Sequence, residues 1–249
     1  MKRVCAFFLA FAATTLLLVS SAAAQDTWQF RMTPYVWAMS TGGDGQLGPV
    51  LVPLNATTKE VVEGLDMSFE SYLEATKRGL LLLADTHISK VHIDIPASFP
   101  LTAGRFTNRQ VIVAAAAGRR FAGRYDVYGG IRYYNIDLQA LFDGFPFFFG
   151  KTGEWVDPMI GGRIVFPVTP KIAFAFRADM DVFGVGSNVA WMIQPTVTWQ
   201  VKPKMSMLMG YRMLQVDRES GRDPANFNKD LFQYDVNHRG PGFGATLSF

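Results

Sequence analysis

Three things are scarce in this sequence: cysteine, histidine and long apolar runs. The one cysteine among 249 residues is Cys5, close to the N-terminus. It lies inside a segment read below as cleaved, so the mature chain has no disulfide and no thiol chemistry. The three histidines are His87, His92 and His238. His87 and His92 have opposite strand parity, and without a thiol they form no metal-ligand cluster. No cofactor is expected. Beyond the first twenty or so residues there is no apolar stretch of about 18 residues, which excludes a transmembrane helix. An excess of either charge is also missing. Once Lys2 and Arg3 are set aside, 22 basic residues face 21 acidic ones, and that balance argues against nucleic acid as a partner.

The N-terminus carries an export pattern. Lys2 and Arg3 precede an apolar run over 4–19, and small residues follow from Ser20 to Ala24. Ala22-Ala23-Ala24 fits a small-x-small cleavage site, so residues 1–24 are expected to be removed as a signal peptide. A membrane anchor is the alternative, but the run is short for a span. The remaining 25–249 read as one domain.

Periodicity says what kind of domain. Ile172, Phe174, Phe176, Ala178, Met180 and Val182 alternate with Ala173, Ala175, Arg177, Asp179 and Asp181. Val189, Trp191, Ile193, Pro195, Val197 and Trp199 alternate in the same way with Ala190, Met192, Gln194, Thr196, Thr198 and Gln200. Period two sustained over ten or more residues suits a tilted strand with one face in lipid. A soluble β-sandwich seldom needs strands of that length. The pattern predicts an all-β, antiparallel, up-and-down transmembrane barrel of about ten strands, with eight or twelve as alternatives. The strands fall near 28–39, 66–77, 79–92, 107–118, 124–138, 154–167, 171–183, 188–201, 204–217 and 231–249.

The connections alternate in length. Those at 77–78, 119–123, 168–170 and 202–203 are short, whereas 40–65, 93–106, 139–153 and 218–230 are long. Short turns on the periplasmic side and long loops outside are expected of an outer-membrane barrel. The connection at 184–187 is tight, with Gly184 and Gly186 free to adopt positive φ. Residues 46–56 allow either an extra hairpin above the membrane or two more wall strands.

The last strand places Phe243, Ala245, Leu247 and Phe249 on one face, and a terminal aromatic is the usual address for the barrel-assembly machinery. That machinery, periplasmic chaperones and outer-membrane lipid are the expected partners. Phe232, Tyr234 and Val236 have the opposite parity to Phe243 and Phe249, which predicts a β-bulge at Gly240-Pro241-Gly242. Pro34, Pro158 and Pro195 fall inside strands, where each removes a ladder donor, so bulges or membrane-boundary positions are expected there.

Several segments, in order, resemble a known group. They are Trp28 with Thr33-Pro34-Tyr35 and Trp37; Trp155-Val156-Asp157-Pro158 with Gly161-Gly162-Arg163; Asp181 to Ser187; Gly210-Tyr211-Arg212; and Tyr234-Asp235 leading to Gly240-Pro241. The sequence is similar to a widespread, mostly uncharacterised family of proteobacterial outer-membrane β-barrel proteins. The resemblance implies location and architecture and supplies no catalytic residues.

If apolar residues face lipid, parity sends charges into the lumen. Arg31, Arg132, Arg163, Arg177 and Arg212 would meet Glu70, Glu74, Asp85, Asp157, Asp179, Asp181 and Asp235 there, with His87 on the face of Asp85. Arg on the lipid side costs about 2–4 kcal/mol at the midplane, which explains the sorting. A paired network would keep the barrel narrow or closed in a structural or interaction role. The alternative is a narrow channel for ions or small solutes. A lipid-acting enzyme is a weaker reading resting on His87, Ser89 and Asp85 at spacing two along one strand.

Phe142, Phe145, Phe147, Phe148 and Phe149 crowd an external loop. They suggest either an apolar binding patch or rings folded into the barrel mouth. Trp155, Trp191, Trp199, Tyr133 and Tyr211 are candidates for the aromatic girdle.

Overall fold

The computed structural model describes residues 27–48, 50–95, 103–144 and 148–249; the expected signal segment lies outside them. Ten strands close an antiparallel barrel: β1 (Gln29–Trp37), β4 (Leu65–Lys77), β5 (Leu80–Ile95), β6 (Gly104–Phe121), β7 (Tyr125–Phe142), β8 (Phe148–Pro167), β9 (Ile172–Asp181), β10 (Val189–Lys202), β11 (Met205–Ser220) and β12 (Phe232–Ser248). The ring closes where β1 pairs with β12, as at Met32 opposite Leu247. Two further strands, β2 (Ser40–Leu47) and β3 (Val50–Pro53), and a short helix, α1 (Thr58–Glu63), lie between β1 and β4. Among the described residues no helix is long and apolar enough to cross a membrane.

The short connections gather at the end that holds Gln29 and Phe249. β4 and β5 are joined by Arg78 and Gly79, both at positive φ, which is the twist-compatible two-residue hairpin turn. At the opposite end the strands run further than their lipid-facing apolar pattern. β5 reaches Ile95, β6 begins at Gly104, β7 reaches Phe142 and β8 begins at Phe148, so the connections expected at 93–106 and 139–153 are much shorter.

The wall has two zones of opposite polarity. On β7, Val127 and Ile131 face outward and are exposed, while Asp126 and Arg132 are buried inside. Above Tyr134 the pattern inverts: Ile136, Leu138 and Ala140 are buried inside, and Asn135, Asp137 and Gln139 face out. β11 does the same, with Met207 and Met209 outside below and Leu214 and Val216 inside above. The outward apolar stretches, such as 125–133, 205–213 and 241–249, are about as long as a tilted barrel strand needs to cross the hydrocarbon layer, ~9–11 residues. The lower zone is therefore the membrane zone. The upper zone stands in water and packs its apolar side chains inward, as a soluble barrel does.

This inversion corrects the bulge expected at Gly240-Pro241-Gly242. The β11–β12 register runs without a shift from Met205 opposite Leu247 to Ser220 opposite Phe232. Phe232, Tyr234 and Val236 are buried inside, and Phe243 and Leu247 are exposed outside, on one unbroken alternation. The apolar residues change faces because the solvent changes, not because the strand slips. Asp235 accordingly faces outward and not into the lumen; it accepts a 2.8 Å hydrogen bond from the Gln215 side-chain amide.

The prolines need no bulges either. Pro34, Pro195 and Pro158 keep partners in Ser71, Phe176 and Ile131. For Pro34 and Pro195 the other ladder simply skips the positions at 33–34 and 194–195. The register shifts that do occur lie at 65–67 and 200–202.

The segment at 40–64 is the extra hairpin and not additional wall. β2 continues along the upper half of β12, from Ser40 opposite Arg239 to Leu47 opposite Phe232, and β3 folds back on it. Its apolar side chains turn inward: Leu47, Val52, Leu54, Ala56 and Val61 join Val91, Phe106, Leu138 and Phe142 in one buried cluster. A β-carbon at Gly45 would lie 3.2 Å from the Leu138 Cδ1, on the far side of the ring, so the hairpin crosses the mouth. The other edge of this cap is α1, whose exit Gly64 accepts a backbone hydrogen bond from His92 of β5 at 2.8 Å. A capping box fixes the start of α1: the Thr57 hydroxyl accepts from the Glu60 N–H, and the Thr57 backbone N–H donates to the Glu60 carboxylate. The bonds from Thr57 hold the Glu60 carboxyl below its ordinary range.

Candidate functional site

The lower lumen is crossed by charge pairs between strands far apart in the ring. Near the turn end, Arg163 on β8 donates from Nη2 to Glu74 on β4 at 2.6 Å and to Asp126 on β7 at 2.6 Å. Arg120 joins the same two carboxylates, at 2.9 Å to Glu74 and 2.7 Å to Asp126. Arg31, half-exposed at the rim, reaches Glu74 at 3.5 Å. One layer higher, Arg177 on β9 meets Asp85 on β5 at 2.8 Å and Asp179 at 3.1 Å. Arg132 bonds Asp179 and, at 2.9 Å, Asp181. Arg212 reaches Asp85 at 3.5 Å and donates to the Tyr35 hydroxyl at 2.6 Å, which itself donates to Asp85 at 2.9 Å.

Tyrosines fill the remaining hydrogen-bond capacity. Tyr128 donates to Asp179 and Tyr134 donates to Asp181 at 2.6 Å, while Arg177 lies over the Tyr72 ring at 5.1 Å. Two voids beside this layer measure about 60 and 10 Å³, enough for a few waters.

Of the twelve charged residues that parity sends to the lumen, the eleven other than Asp235 lie on inward-facing positions. Two of them serve other contacts. Among the described residues Glu70 pairs with no arginine; its carboxylate meets His87 Nδ1 at 3.1 Å and accepts from the Trp37 backbone N–H at 2.7 Å. Asp157 stands opposite Arg132 in register but bonds the 182–188 turn instead. It accepts from the Gly186 N–H at 2.7 Å, the Ser187 N–H at 2.9 Å and the Ser187 hydroxyl at 2.6 Å. Gly186 is required here by packing and not by φ, since a β-carbon would sit 2.4 Å from the Trp155 ring and 2.6 Å from Asp157 Oδ1. Gly184 does take positive φ, as expected.

Arg120 and Asp126 are both in the network and were not among the expected lumen charges: Arg120 falls in the expected 119–123 turn, whereas Asp126 lies within the expected strand 124–138. The parity that places Arg132 inside reaches Asp126 when carried back along β7, and Arg120 continues the inward series of Ala114 and Ala116.

The histidine cluster has a different orienter from the one expected. Ser89 Oγ lies 3.2 Å from His87 Nε2, and His87 Nδ1 faces Glu70. Asp85 is committed to Tyr35, Arg177 and Arg212. The Ser–His–Glu order matches a nucleophile relay. It is also shut in: Ser89 is 1% exposed, and the Trp37 ring packs edge-on against His87 at 5.4 Å.

The aromatic expectations divide. Phe142 is buried inside the mouth. Phe145 and Phe147 lie outside the described residues; Phe148 and Phe149 open β8, with backbones opposite Leu141 and Ala140. Trp155 is not a girdle residue. It is buried, stacked on Tyr134 at 4.8 Å, and donates to Asp157 and Ser187. Trp191, Trp199, Tyr133 and Tyr211 face outward. Among the described residues no group of His, Cys, Asp or Glu is arranged to hold a metal ion.

A closed ring of ten tilted strands, apolar outside and charge-paired inside over one membrane thickness, defines the class: an integral β-barrel protein of the outer membrane. No protein-family model matches the chain, and no curated protein matches it by sequence. Solved structures similar to it include the translocator domain of the autotransporter NalP from Neisseria meningitidis, at 11% identity and TM-score 0.44 over 99% of this chain and 98% of that one. The Pseudomonas putida toluene transporter TodX is similar at 10% identity and TM-score 0.29, over 90% of each chain. OmpT of Vibrio cholerae is similar at 14% identity and TM-score 0.26, over 73% of this chain and 56% of that one. None reaches a TM-score of 0.5, and the class rests on the barrel's own geometry.

Proposed function

We propose that this protein is a sealed outer-membrane barrel with a structural or interaction role and no catalytic one. The observation that carries the reading is the pair of cross-lumen bridges, Arg177 to Asp85 and Arg163 to Glu74, which fill the bore at membrane depth. Above them the 40–64 cap packs apolar side chains over the mouth. A solute would have to separate buried ion pairs below and displace the cap above. The burial of Ser89 speaks against hydrolysis, because an ester has no approach to its hydroxyl. Outer-membrane lipid is the permanent partner, with chaperones and the assembly machinery engaged during biogenesis.

The test is a liposome-swelling assay with purified protein and small neutral and charged solutes. A sealed barrel swells vesicles no faster than protein-free lipid. Solute-size-dependent swelling would favour the narrow channel and overturn the proposal.

A further inference from the structure

Under the cap, above the membrane zone, lies a cavity of about 310 Å³. That is near the lower end of the range for small-molecule sites, roughly 300–1,000 Å³. The cap contributes Val52, Leu54 and Val61, and the wall contributes Val91 and Phe106. Two polar side chains from β6 interrupt this lining: Asn108 and Gln110, which are 8% and 1% exposed. Among the described residues, the Asn108 Oδ1 and the Gln110 Oε1 have no hydrogen-bond partner. Burying a carboxamide oxygen unpaired costs about 1–3 kcal/mol, so two side by side in an apolar chamber call for a polar group between them.

We propose that this cavity is a binding site for a small, uncharged, mostly apolar molecule bearing a hydroxyl group. The size of the chamber admits one or two fused rings or a short branched chain, and excludes a diacyl lipid. The hydroxyl is the group that fits both carboxamides. It donates to a carbonyl oxygen and equally accepts from an amide N–H, so the match survives either orientation of each amide.

Among the described lining residues a charged ligand meets no free counter-ion. The two acids at the rim are already engaged: Asp94 with Arg105 Nε at 3.1 Å, and Glu60 with Thr57. Entry is from the outer side, where Leu51 and Asp94 line the opening and are exposed. The site is independent of whether the bore conducts, because it lies in the upper, water-standing zone between cap and wall.

Two fluorescent probes of nearly equal shape test the proposal, 2-naphthol and 2-methylnaphthalene, titrated into nanodiscs with and without the full mature protein. The naphthol should bind saturably above its partition into empty discs, and roughly tenfold or more tighter than the methyl analogue. Gln110→Leu should bring the two affinities together, and Val61→Trp, which fills the chamber from the cap, should abolish saturable binding. Heat-modifiable migration checks that each variant retains the barrel. Absence of saturable binding would mean that the carboxamides hold water only, and would overturn the proposal. So would equal affinity for the two probes, or a folded Gln110→Leu protein that still prefers naphthol by the wild-type factor.

Discussion

Arg177 Nη1 on β9 lies 2.8 Å from Asp85 Oδ2 on β5, across the lumen and not along the wall. The two ends of the bridge are not equivalent. Asp85 also holds Arg212 and Tyr35, whereas Arg177 shares Asp179 with Arg132. Asp85→Leu leaves the buried Arg212 guanidinium without its carboxylate and Arg177 with Asp179 alone, and should cost about 3–5 kcal/mol. Arg177→Met leaves every carboxylate with another cationic or hydroxyl partner and should cost less. Urea unfolding of refolded protein in lipid gives both values; Arg177→Met as the costlier change would contradict the network as described.

The polarity inversion predicts a labelling pattern that a bulge would not produce. Cys5 is the one cysteine and lies in the expected signal segment, so single cysteines can be placed along the barrel. Asn237→Cys faces water in the upper zone and should react with a membrane-impermeant maleimide, while Val236→Cys, buried inside, should not. Asp137→Cys should react and Ile131→Cys should not, though both face outward, because only the second lies in lipid. Equal reactivity at 131 and 137 would place the membrane boundary elsewhere.

The 182–188 turn is held by Asp157, and its tolerance of change should be narrow at one residue. Gly186→Ala forces a β-carbon against Trp155 and Asp157 and should destabilise the fold by about 1–3 kcal/mol. Limited proteolysis should then cut within 182–188 first. At neighbouring Gly184 a β-carbon would meet nothing within 4 Å, so only its positive φ resists substitution, and Gly184→Asn should be milder. Similar proteolysis of both variants would remove the packing explanation.

Much of this was legible in the sequence, and the misreadings have one cause. Strand period two located all ten wall strands, because lipid on one face and charge on the other leave an unambiguous alternation. The parity change between Val236 and Phe243 is also visible, but read without the membrane boundary it predicts a backbone slip. The rule that apolar residues face out holds only at membrane depth; past the boundary the same backbone obeys the opposite rule. Asp235 was sent to the wrong face for that reason. Trp155 and Asp157 were on the inward parity, yet their partners lie in the 182–188 turn, some thirty residues on, and no local pattern encodes such a contact. The cap was visible only as an ambiguous hairpin, since its burial depends on Leu138 and Phe106 across the ring.

In the proposed sealed barrel the Glu70–His87–Ser89 chain serves as a buried scaffold. Ser89→Ala removes a hydroxyl from the end of the chain and should change stability by about 1 kcal/mol or less. Glu70→Leu deprives both His87 and the Trp37 backbone N–H of their acceptor and should cost about 1–3 kcal/mol or more. Chemical unfolding that ranks Ser89→Ala above Glu70→Leu would contradict this role.

The claim that the bore is sealed is tested most directly by inserting the wild-type protein into planar bilayers and recording current over a range of voltages and salt concentrations. The account predicts no steady single-channel steps, with protein insertion verified independently by heat-modifiable migration of the same preparation. Reproducible steps of constant size that scale with salt would show a continuous water path past Arg177 and Asp85, and would contradict it.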